Sequence, residues 1–487
     1  RGEGFPGPAS SEYEAAKIAA GDDRILRFRD LDRREAVMNL TATRRTLSHA
    51  LNMPEEEMVP RLAEACYEGE VKVGGKVRME EADLSSLPVM KFYPRDGGKY
   101  ITAGIVFARL DGVENASIHR MLVLDEKRVA TRLVEGRHTH SMLMAALARG
   151  ERLPVAVAIG VHPAVTFAST TRVPPGMELP FAAELLGGGI RVSRCGNGVL
   201  VPEAEIILEG SIGAERAREG PFVDITGTYD EVRQEPVIEF TGMQVREDAI
   251  YASILPGGNE HKMLMGVPYE PIIYRAVSKV TGVRNVHLTR GGCGYLHAVV
   301  QIRKATQGDG KNAILAAFSA HTSLKHVVVV DEDIDPFDIH DVEFAVATRA
   351  RGDQDLVVVT GTRGASLDPR QLEAARRHLA STYPEKLPAA LELRTADMLS
   401  LPFASASFDT VFGFYSLHHA DAQHRAFVNV PKALGEVNRV LRPGGRLVYV
   451  EIVNREKVRA WLLERGYRIE ALSHRWTGES VVAAKPA

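Results

Sequence analysis

The stretch Val201-Pro-Glu-Ala-Glu-Ile-Ile-Leu-Glu-Gly210 opens into a strand-length run, Ala204–Ser211. Runs of the same kind recur on both sides of it, at Ile101–Arg109, Ile118–Leu124, Val155–Gly160, Ile190–Ser193 and Val237–Thr241. Turn residues separate these runs, and a helical pattern at Thr139–Arg149 is inserted among them. Short strands divided by turns are typical of a sheet or barrel, so residues 99–254 are predicted to form a β domain.

The chain on either side of this region has a mixed α/β pattern. Residues 1–98 contain a predicted strand, Arg24–Asp30, and two predicted helices, Thr41–Leu51 and Pro54–Glu68. In residues 255–370 the predicted helices are Ile272–Val280, Ala313–Ala320 and Val342–Arg349, and the predicted strands are Ala298–Ile302, His326–Val330 and Leu356–Thr360. This alternation predicts an α/β domain with a parallel sheet.

The sequence pattern changes again after Asp368-Pro369. In residues 371–487 the predicted elements are helix Gln371–Leu379, strand Leu391–Arg394, strand Thr410–Gly413, helix Phe427–Leu441, a turn at Arg442-Pro-Gly-Gly445 and strand Arg446–Glu451. This pattern predicts part of a further α/β domain.

Composition limits the class of protein. The 487 residues are 45% hydrophobic and 25% charged, which is typical of a globular chain and excludes wholesale disorder. A net charge of -3 gives no basic excess for nucleic-acid binding, and no apolar run reaches the roughly 18 residues of a membrane span. The three cysteines are far apart, which favours a reducing cytosol over a disulfide framework. The N-terminus, Arg1-Gly-Glu-Gly-Phe-Pro-Gly-Pro8, suggests a truncated or trimmed chain.

Polar residues of the 99–254 region are not placed as the surface of a sheet requires. Asn115, His138 and Glu178 offer an amide oxygen, an imidazole and a carboxylate, a donor set suited to octahedral Mn²⁺ or Mg²⁺. On spacing alone, residues of these types scattered over this distance are more often turn residues and internally hydrogen-bonded polar groups than metal ligands. His140, two positions after His138, is an alternative imidazole ligand.

Arg120 and two carboxylates are candidates for chemistry. Glu219 and Asp224 flank Gly220-Pro-Phe-Val223, and two neighbouring carboxylates can divide acid and base roles. An arginine can hold a substrate carboxylate through two parallel hydrogen bonds. Taken alone, Arg120 is more often a salt-bridged strand residue, and Glu219, which follows Arg216 and Arg218, is more often a solvated charge.

Longer motifs resemble those of the UbiD-like decarboxylases, a family that uses prenylated FMN. They are Asn115-Ala-Ser-Ile-His-Arg-Met121, Ala158-Ile-Gly-Val-His-Pro163, Val201–Gly210, Glu219-Gly-Pro-Phe-Val-Asp-Ile-Thr-Gly-Thr-Tyr229 and Arg246-Glu-Asp-Ala-Ile-Tyr251. The resemblance runs from about Arg24 to Pro369. It implies a mixed α/β fold in which a split β-barrel holds the flavin and packs on an α/β domain that also makes the dimer contact.

The resemblance also implies roles for individual residues. Asn115, His138 and Glu178 match the ligands of a divalent metal, Mn²⁺ or Mg²⁺, that bridges protein and flavin phosphate. Ala168, Ser169 and Thr171 fall where family members bind K⁺. Arg120 would orient the substrate carboxylate, Glu219 would hold Arg120, and Asp224 would donate a proton in a pocket shielded from water. The implied cofactor-binding set is Asn115, Ser117, Ile118, His119, Arg120, Arg137, His138, Ala168, Ser169 and Glu178.

Three further stretches are similar to an archaeal-type branch of the family: Asn259-Glu-His261, Gly308-Asp-Gly-Lys-Asn-Ala313 and Val328-Val-Val-Asp-Glu-Asp-Ile-Asp335. This resemblance implies decarboxylation of trans-anhydromevalonate 5-phosphate to isopentenyl phosphate and CO₂ in isoprenoid synthesis. An aromatic acid such as 4-hydroxybenzoate is the alternative substrate within the family. The expected setting is a cytoplasmic homo-oligomer, a dimer or hexamer, supplied with cofactor by a flavin prenyltransferase and without nucleic-acid or membrane partners.

Residues 371–487 resemble a different family, the class I S-adenosylmethionine-dependent methyltransferases. The motifs are Ala396-Asp397-Met-Leu-Ser-Leu-Pro402, Phe408-Asp409, Ser416-Leu-His-His419 and Leu441-Arg-Pro-Gly-Gly-Arg446. Only the second half of that Rossmann-like fold is represented, without the first strand and its Gly-rich turn. We therefore expect a chimeric chain with decarboxylase chemistry. A methyltransferase and an inactive remnant lacking the decarboxylase family's C-terminal tail are the alternatives.

Overall fold

The computed structural model describes residues 12–31, 34–359, 405–406, 408–414, 430–451, 455–475 and 478–486. The chain divides into two compact units, residues 1–366 and 367–487. This division lies close to the boundary predicted between residues 370 and 371.

The first unit contains most of the regular structure. Its helices are α1 (Glu12–Gly21), α2 (Arg44–Leu51), α3 (Met58–Ala63), α4 (His138–Ala148), α5 (Pro163–Thr170), α6 (Glu178–Leu185), α7 (Asn259–Gly266), α8 (Glu270–Val277), α9 (Asp309–Ala320) and α10 (Ile339–Arg349). Its strands are β1 (Leu26–Leu31), β2 (Arg34–Met38), β3 (Glu70–Lys76), β4 (Glu80–Glu81), β5 (Tyr100–Ile101), β6 (Ile105–Leu110), β7 (Val113–Ile118), β8 (Met121–Val123), β9 (Arg128–Thr131), β10 (Leu153–Val161), β11 (Gly189–Arg194), β12 (Leu200–Pro202), β13 (Ala204–Glu219), β14 (Phe222–Val223), β15 (Tyr229–Asp230), β16 (Arg233–Val245), β17 (Ile250–Ala252), β18 (Gly282–Leu288), β19 (His297–Arg303) and β20 (His326–Val330).

A nine-stranded antiparallel sheet is the centre of this unit. Its strand order is β5-β8-β9-β16-β13-β10-β6-β7, with β4 paired to β16. β7 ends one edge at Ile118, and β8 begins near the other edge at Met121. Three residues span at most roughly 11 Å, so the two edges must approach each other and the sheet must curl. The predicted barrel is therefore confirmed as a sheet that is split between β7 and β8.

Apolar cores lie on both faces of strand β10. Val155, Val157 and Ile159 belong to one buried cluster, and the alternate residues Ala156 and Ala158 belong to a second. Successive side chains of a strand point to opposite faces, so a strand buried on both faces has a continuous apolar sequence. The second cluster includes residues of α5 and α6, which fixes those helices against the outer face of the sheet beside β7.

Two predicted strands of the β region are each interrupted. Ile101–Arg109 divides into β5 and β6, and Ile118–Leu124 divides between β7 and β8. Between β5 and β6 the chain passes so close to its neighbours that a Cβ at Gly104 would lie 2.5 Å from Cε of Met121. Glycine is the residue that tolerates such an approach, and it marks a bend that alternation cannot reveal.

The 255–370 region forms a small mixed sheet rather than the predicted parallel one. The order is β18-β19-β20, with β18 antiparallel to β19 and β19 parallel to β20. The connection from Leu288 to His297 is too short for a crossover helix, so β18 and β19 form a hairpin. The strand predicted at Leu356–Thr360 was also wrong over residues 356–359, which pair with no strand; Leu356 is 70% exposed. Thr360 lies outside the described residues.

The second unit forms a four-stranded sheet with two described helices. Its elements are β21 (Phe408–Phe414), α11 (Val430–Val440), β22 (Leu441–Glu451), α12 (Arg455–Glu464), β23 (Arg468–Arg475) and β24 (Gly478–Ala484). The strand order is β21-β22-β24-β23; β21 is parallel to β22, and β24 is antiparallel to both of its neighbours.

The predicted elements of the second unit are confirmed where they are described, with one correction. The turn expected at Arg442–Gly445 lies within β22, because Phe408 pairs with Leu441 whereas Thr410 pairs with Arg446. The intervening residues form an irregularity in the strand, with Gly444 at a φ of 73°. Gln371–Leu379, Leu391–Arg394 and residues 427–429 lie outside the described residues. No helix among the described ranges is both long enough and apolar enough to span a membrane.

Candidate active site

A cavity of about 580 Å³ opens where the barrel is split. Asn115 and Ser117 on β7, and His119 and Arg120 in the link to β8, line one wall. Other lining residues come from the segment around α7 and from the β18–β19 connection, among them Tyr269 and Tyr295. The volume is in the range of small-molecule and cofactor sites.

Most residues that the sequence singled out meet in this cavity. Those that line it are Asn115, Ser117, Ile118, His119, Arg120, Arg137, His138, Ser169, Thr171, Glu178 and Asp224. Glu219 and Ala168 lie behind the cavity wall and are almost completely buried. His140, the alternative imidazole, is not among the lining residues. The structure thus places the predicted set together, although its roles remain predictions.

The proposed metal ligands converge on one carboxylate. Glu178 begins α6, is 5% exposed, and has Oε1 3.6 Å from Nδ1 of His138. The amide oxygen of Asn115 faces the same Oε1, and reversing the amide would instead allow its nitrogen to donate to Oε1 at 3.2 Å. With the lone pair of His138 on Nδ1 and the oxygen of Asn115 turned to Glu178, three acceptor atoms face one another, which makes a suitable place for a cation.

A second observation on Glu178 also fits a bound cation. Its Oε2 is buried and has no hydrogen-bond partner in the described structure. Burial raises the pKa of Glu178 to about 7, because the charged form has lost its hydration. A divalent cation would supply the missing partner. No group of three or more His, Cys, Asp or Glu side chains suited to a metal occurs among the described residues, so the amide of Asn115 is needed to complete this donor set.

The residues matched to the potassium site use their hydroxyls inside α5. Ser169 Oγ donates to the carbonyl of Val165 at 2.8 Å, and Thr171 Oγ1 donates to the carbonyl of Phe167 at 2.8 Å. Ala168 is 1% exposed and has no polar side chain. Each hydroxyl oxygen keeps its lone pairs while it donates, so a monovalent cation at this point could bind to these oxygens together with backbone carbonyls.

Arg120 is held in one orientation by a carboxylate pair. Its Nε donates to Glu219 Oε1 at 2.9 Å and its Nη2 donates to Glu219 Oε2 at 2.8 Å. Nη2 also donates to Asp230 Oδ2 at 2.9 Å, and the guanidinium lies over the Phe222 ring at 4.7 Å. Glu219 is the last residue of β13 and is fully buried. Bidentate contact with a buried carboxylate fixes the plane of the guanidinium.

Tyr100 completes the hydrogen bonding of Glu219. Its hydroxyl donates to Glu219 Oε1 at 3.0 Å and accepts from the backbone N–H of Gly220 at 3.0 Å. Burial and the neighbouring Glu219 charge raise the pKa of Tyr100, so the phenol remains a donor. The interpretation of Glu219 as a solvated surface charge is therefore excluded by its burial and its three donors.

The structure separates the two aspartates of the hairpin formed by β14 and β15. Asp230, which the sequence reasoning missed, is paired with Arg120, whereas Asp224 lies in the hairpin turn and accepts from the Ile225 N–H at 2.7 Å. Asp224 lines the cavity but is exposed, contrary to the expectation of a pocket shielded from water. Burial favours a raised pKa for Asp230, but the Arg233 hydrogen bond and the charges of Arg120 and Arg233 hold that pKa below its usual range.

Two neutral histidines lie on the cavity wall. His119 Nδ1 donates to the Arg132 carbonyl at 2.9 Å, which leaves Nε2 to accept from Ser117 Oγ at 2.8 Å. His261 Nδ1 accepts from the Gly257 N–H at 3.0 Å. Burial lowers the pKa of each imidazole to about 4; for His261 the charge of Asp224 opposes this and that of Arg120 adds to it. Both rings are therefore uncharged near neutral pH.

Other residues of the site had little or no signal in the sequence. Tyr100 is buried behind the cavity and Arg172 lines it, and nothing in their local patterns distinguishes them from ordinary strand or loop residues. Phe222 lies within the motif Glu219–Tyr229 but was given no role. Asp230 directly follows the motif Glu219–Tyr229, so extending that motif by one residue would have found it. The others depend on which segments the fold brings together.

Fold and site together define a class of protein: an α/β enzyme with a cofactor-sized cavity in a split β-barrel. Sequence profiles described as the N-terminal, Rift-related and C-terminal domains of 3-octaprenyl-4-hydroxybenzoate carboxy-lyase match residues 6–66, 67–259 and 262–379. A methyltransferase-domain profile matches residues 356–449.

Named relatives match most of this chain. The anhydromevalonate phosphate decarboxylase of Methanosarcina mazei is 53% identical over 369 residues, which cover 74% of this chain and 87% of that protein. The enzyme of the same name from Archaeoglobus fulgidus is 55% identical over 345 residues, covering 70% and 80%. This chain belongs to the UbiD family of carboxy-lyases.

Solved structures agree with the family assignment. The UbiD-class enzyme HmfF from Pelotomaculum thermopropionicum, in complex with FMN, has a TM-score of 0.71 and 35% identity, covering 75% of this chain and 87% of that one. An evolved dimeric form of HmfF, in complex with prenylated FMN, has a TM-score of 0.70 and 34% identity, covering 74% and 88%.

Proposed function

We propose that this chain uses prenylated FMN to decarboxylate trans-anhydromevalonate 5-phosphate, giving isopentenyl phosphate and CO₂. The observation that supports this most directly is that one cavity is lined both by Arg120, which is fixed by Glu219, and by the Asn115, His138 and Glu178 donor set. Relatives at 53% and 55% identity carry the name of this activity.

The donor set would hold the cofactor. Glu178, His138 and Asn115 would bind Mn²⁺ or Mg²⁺ against the flavin phosphate, with Arg137 close by at the start of α4. Loss of CO₂ leaves a carbanion that side chains cannot stabilise, and prenylated FMN supplies the electron sink when bound. K⁺ near Ala168, Ser169 and Thr171 belongs to the same proposal.

Arg120 would orient the substrate carboxylate. Its Nε and Nη2 are used by Glu219 and Asp230, and Nη1 makes no hydrogen bond within the described structure. A second carboxylate can therefore bind at Nη1 without displacing Glu219. Because the guanidinium is already fixed, the entropic cost of positioning the acid is smaller than with a mobile side chain.

Asp224 would return the proton once CO₂ has left. Replacing Asp224 with Asn should lower kcat by about 10²-fold, because general acid catalysis contributes roughly 10²–10⁴-fold. Replacing Asp230 with Asn should cost only about 10-fold, since Glu219 would still hold Arg120 by two bonds. Steady-state kinetics on both variants, with flavin content measured in parallel, tests the division of roles. A larger loss for Asp230→Asn than for Asp224→Asn would reverse it.

The first experiment is to co-produce the chain with a flavin prenyltransferase and to measure the absorbance spectrum and intact mass of the released cofactor. Stoichiometric prenylated FMN, with CO₂ release from trans-anhydromevalonate 5-phosphate and not from 4-hydroxybenzoate, is the expected result. CO₂ release from the aromatic acid alone would reassign the substrate. A folded protein without flavin would mean that the chain is a remnant.

We further propose a cytoplasmic homo-oligomer. The cysteines Cys66, Cys195 and Cys293 are all free thiols, which fits a reducing compartment. A dimeric form is known for the evolved HmfF neighbour. Light scattering coupled to size-exclusion chromatography would distinguish a dimer from a hexamer.

A further inference from the structure

Four arginines line the cavity, and they differ in their partners. Arg120 is paired with Glu219 and Asp230, and Arg132 donates to Glu235 at 2.7 Å. Arg137 and Arg172 have no acidic partner among the described residues. Two positive charges in the cavity wall are therefore available to anionic groups that enter it.

The two available arginines belong to different parts of the wall. Arg137 directly precedes α4 and is adjacent to His138, so it lies beside the donor set expected to hold the flavin phosphate. Arg172 follows α5, directly after Thr171, and its guanidinium lies 5.1 Å from the centre of the Tyr269 ring. The family resemblance assigns Arg137 to the cofactor-binding set and leaves Arg172 without a role.

Arg172 is exposed at the rim of the cavity, yet its position is defined. The Tyr269 ring beneath it is 7% exposed and is held edge-to-face by Tyr295 at 5.4 Å and stacked on His321 at 4.1 Å. A guanidinium over an aromatic face keeps its edge N–H groups free for hydrogen bonding. Those N–H groups match the oxygens of a phosphate in spacing and charge.

We propose that Arg172, stacked on Tyr269 at the cavity rim, binds the phosphate of the substrate and gives the enzyme its preference for a phosphorylated acid. The proposal rests on the function proposed above. It places the two anionic ends of the substrate on two different arginines, the carboxylate on Arg120 and the phosphate on Arg172. Arg120 is tied to two carboxylates, so it cannot serve both ends.

Binding to the FMN-loaded full-length chain tests this directly, because unmodified FMN fills the cofactor position without supporting turnover. Calorimetric titration would compare trans-anhydromevalonate 5-phosphate with unphosphorylated trans-anhydromevalonate. Arg172→Gln should weaken binding of the phosphorylated acid by about 10- to 100-fold and that of the unphosphorylated acid by less than about 3-fold. Arg172→Lys should recover part of the loss, since it keeps the charge but not the planar fork.

Arg149→Gln is the matched control, because Arg149 is an exposed arginine that is paired with Asp111 outside the cavity. This substitution should leave the affinities for both acids unchanged. Equal weakening of both acids by Arg172→Gln, or no weakening of either, would overturn the phosphate assignment. So would failure of the wild-type chain to prefer the phosphorylated acid. Intact phosphate preference in binding, together with no CO₂ release from the prenyl-FMN-loaded chain, would instead contradict only the proposed reaction.

Discussion

Replacement of Arg120 by alanine is expected to lower kcat/KM for decarboxylation by at least about 10³-fold while flavin remains bound. The guanidinium is fixed by Glu219 and Asp230 at the cavity wall, and no other lining arginine contacts that carboxylate pair. Loss of an orienting group costs both the hydrogen bond to the substrate and the alignment of the scissile bond. Turnover of CO₂ and the flavin content of the same sample are the two measurements.

The effect of Arg120→Ala on folding stability must be separated from its effect on decarboxylation. Glu219 is fully buried, so removing Arg120 leaves an unpaired carboxylate, which costs roughly 3–5 kcal/mol of stability. The double variant Arg120→Met with Glu219→Gln removes both charges and should recover most of that stability without recovering turnover. Arg128→Ala is the control, because Arg128 on β9 is only partly exposed and is paired with Asp125 and Glu215 away from the cavity. Stability and turnover should both stay close to those of the wild type. Turnover within 10-fold of wild type in folded Arg120→Ala would refute the role.

Glu178→Gln should abolish metal binding and reduce bound flavin by more than about 10-fold. Glu178 lies between His138 and Asn115 and is the one carboxylate of the donor set, and a neutral amide is a poor ligand in its place. Metal content by mass spectrometry and flavin content by absorbance would measure the two losses. Glu203→Gln, an exposed carboxylate paired with Arg246, is the control.

In the metal-free protein, Glu178→Gln should increase the stability of the folded state, although it abolishes metal binding. Burial raises the pKa of Glu178 from 4.5 to about 7, so the ionised carboxylate destabilises the folded state at pH values above that range. Glu178→Gln should therefore stabilise metal-free protein by roughly 3 kcal/mol at pH 8, with the gain disappearing as the pH falls towards 4.5. Chemical denaturation at both pH values checks the sign. A destabilised variant at pH 8 would mean that Oε2 has a partner in solution.

Local pattern predicted the elements of the barrel but not their breaks. Strand β10 was recognised because it is apolar throughout, and α4 because of its helical spacing. The division at Gly104 was missed because it depends on Met121, which reaches that point from another strand. The hairpin of β18 and β19 was missed for a related reason: alternation of strands and helices does not show which strands are direct neighbours.

In the site, too, the sequence indicated the residues, whereas some of their contacts became clear only from the structure. The family resemblance indicated Asn115, His138, Glu178, Arg120 and Glu219, and the structure places all of these at or directly behind one cavity. The motifs did not indicate that Asp230 rather than Asp224 contacts Arg120. Both aspartates belong to one hairpin, and its turn directs one to the guanidinium and the other to solvent.

The sequence by itself determined the family, the strand and helix types, and the chemical groups available to the site, because motifs and periodicity are properties of neighbouring residues. Only the tertiary structure decided which groups act together. Arg120 and Glu219 are 99 positions apart, and Arg172 reaches Tyr269 from a different element. Such contacts follow from the register of β13 with its neighbours and from the curling of the sheet at its split, which depend on packing across the whole unit.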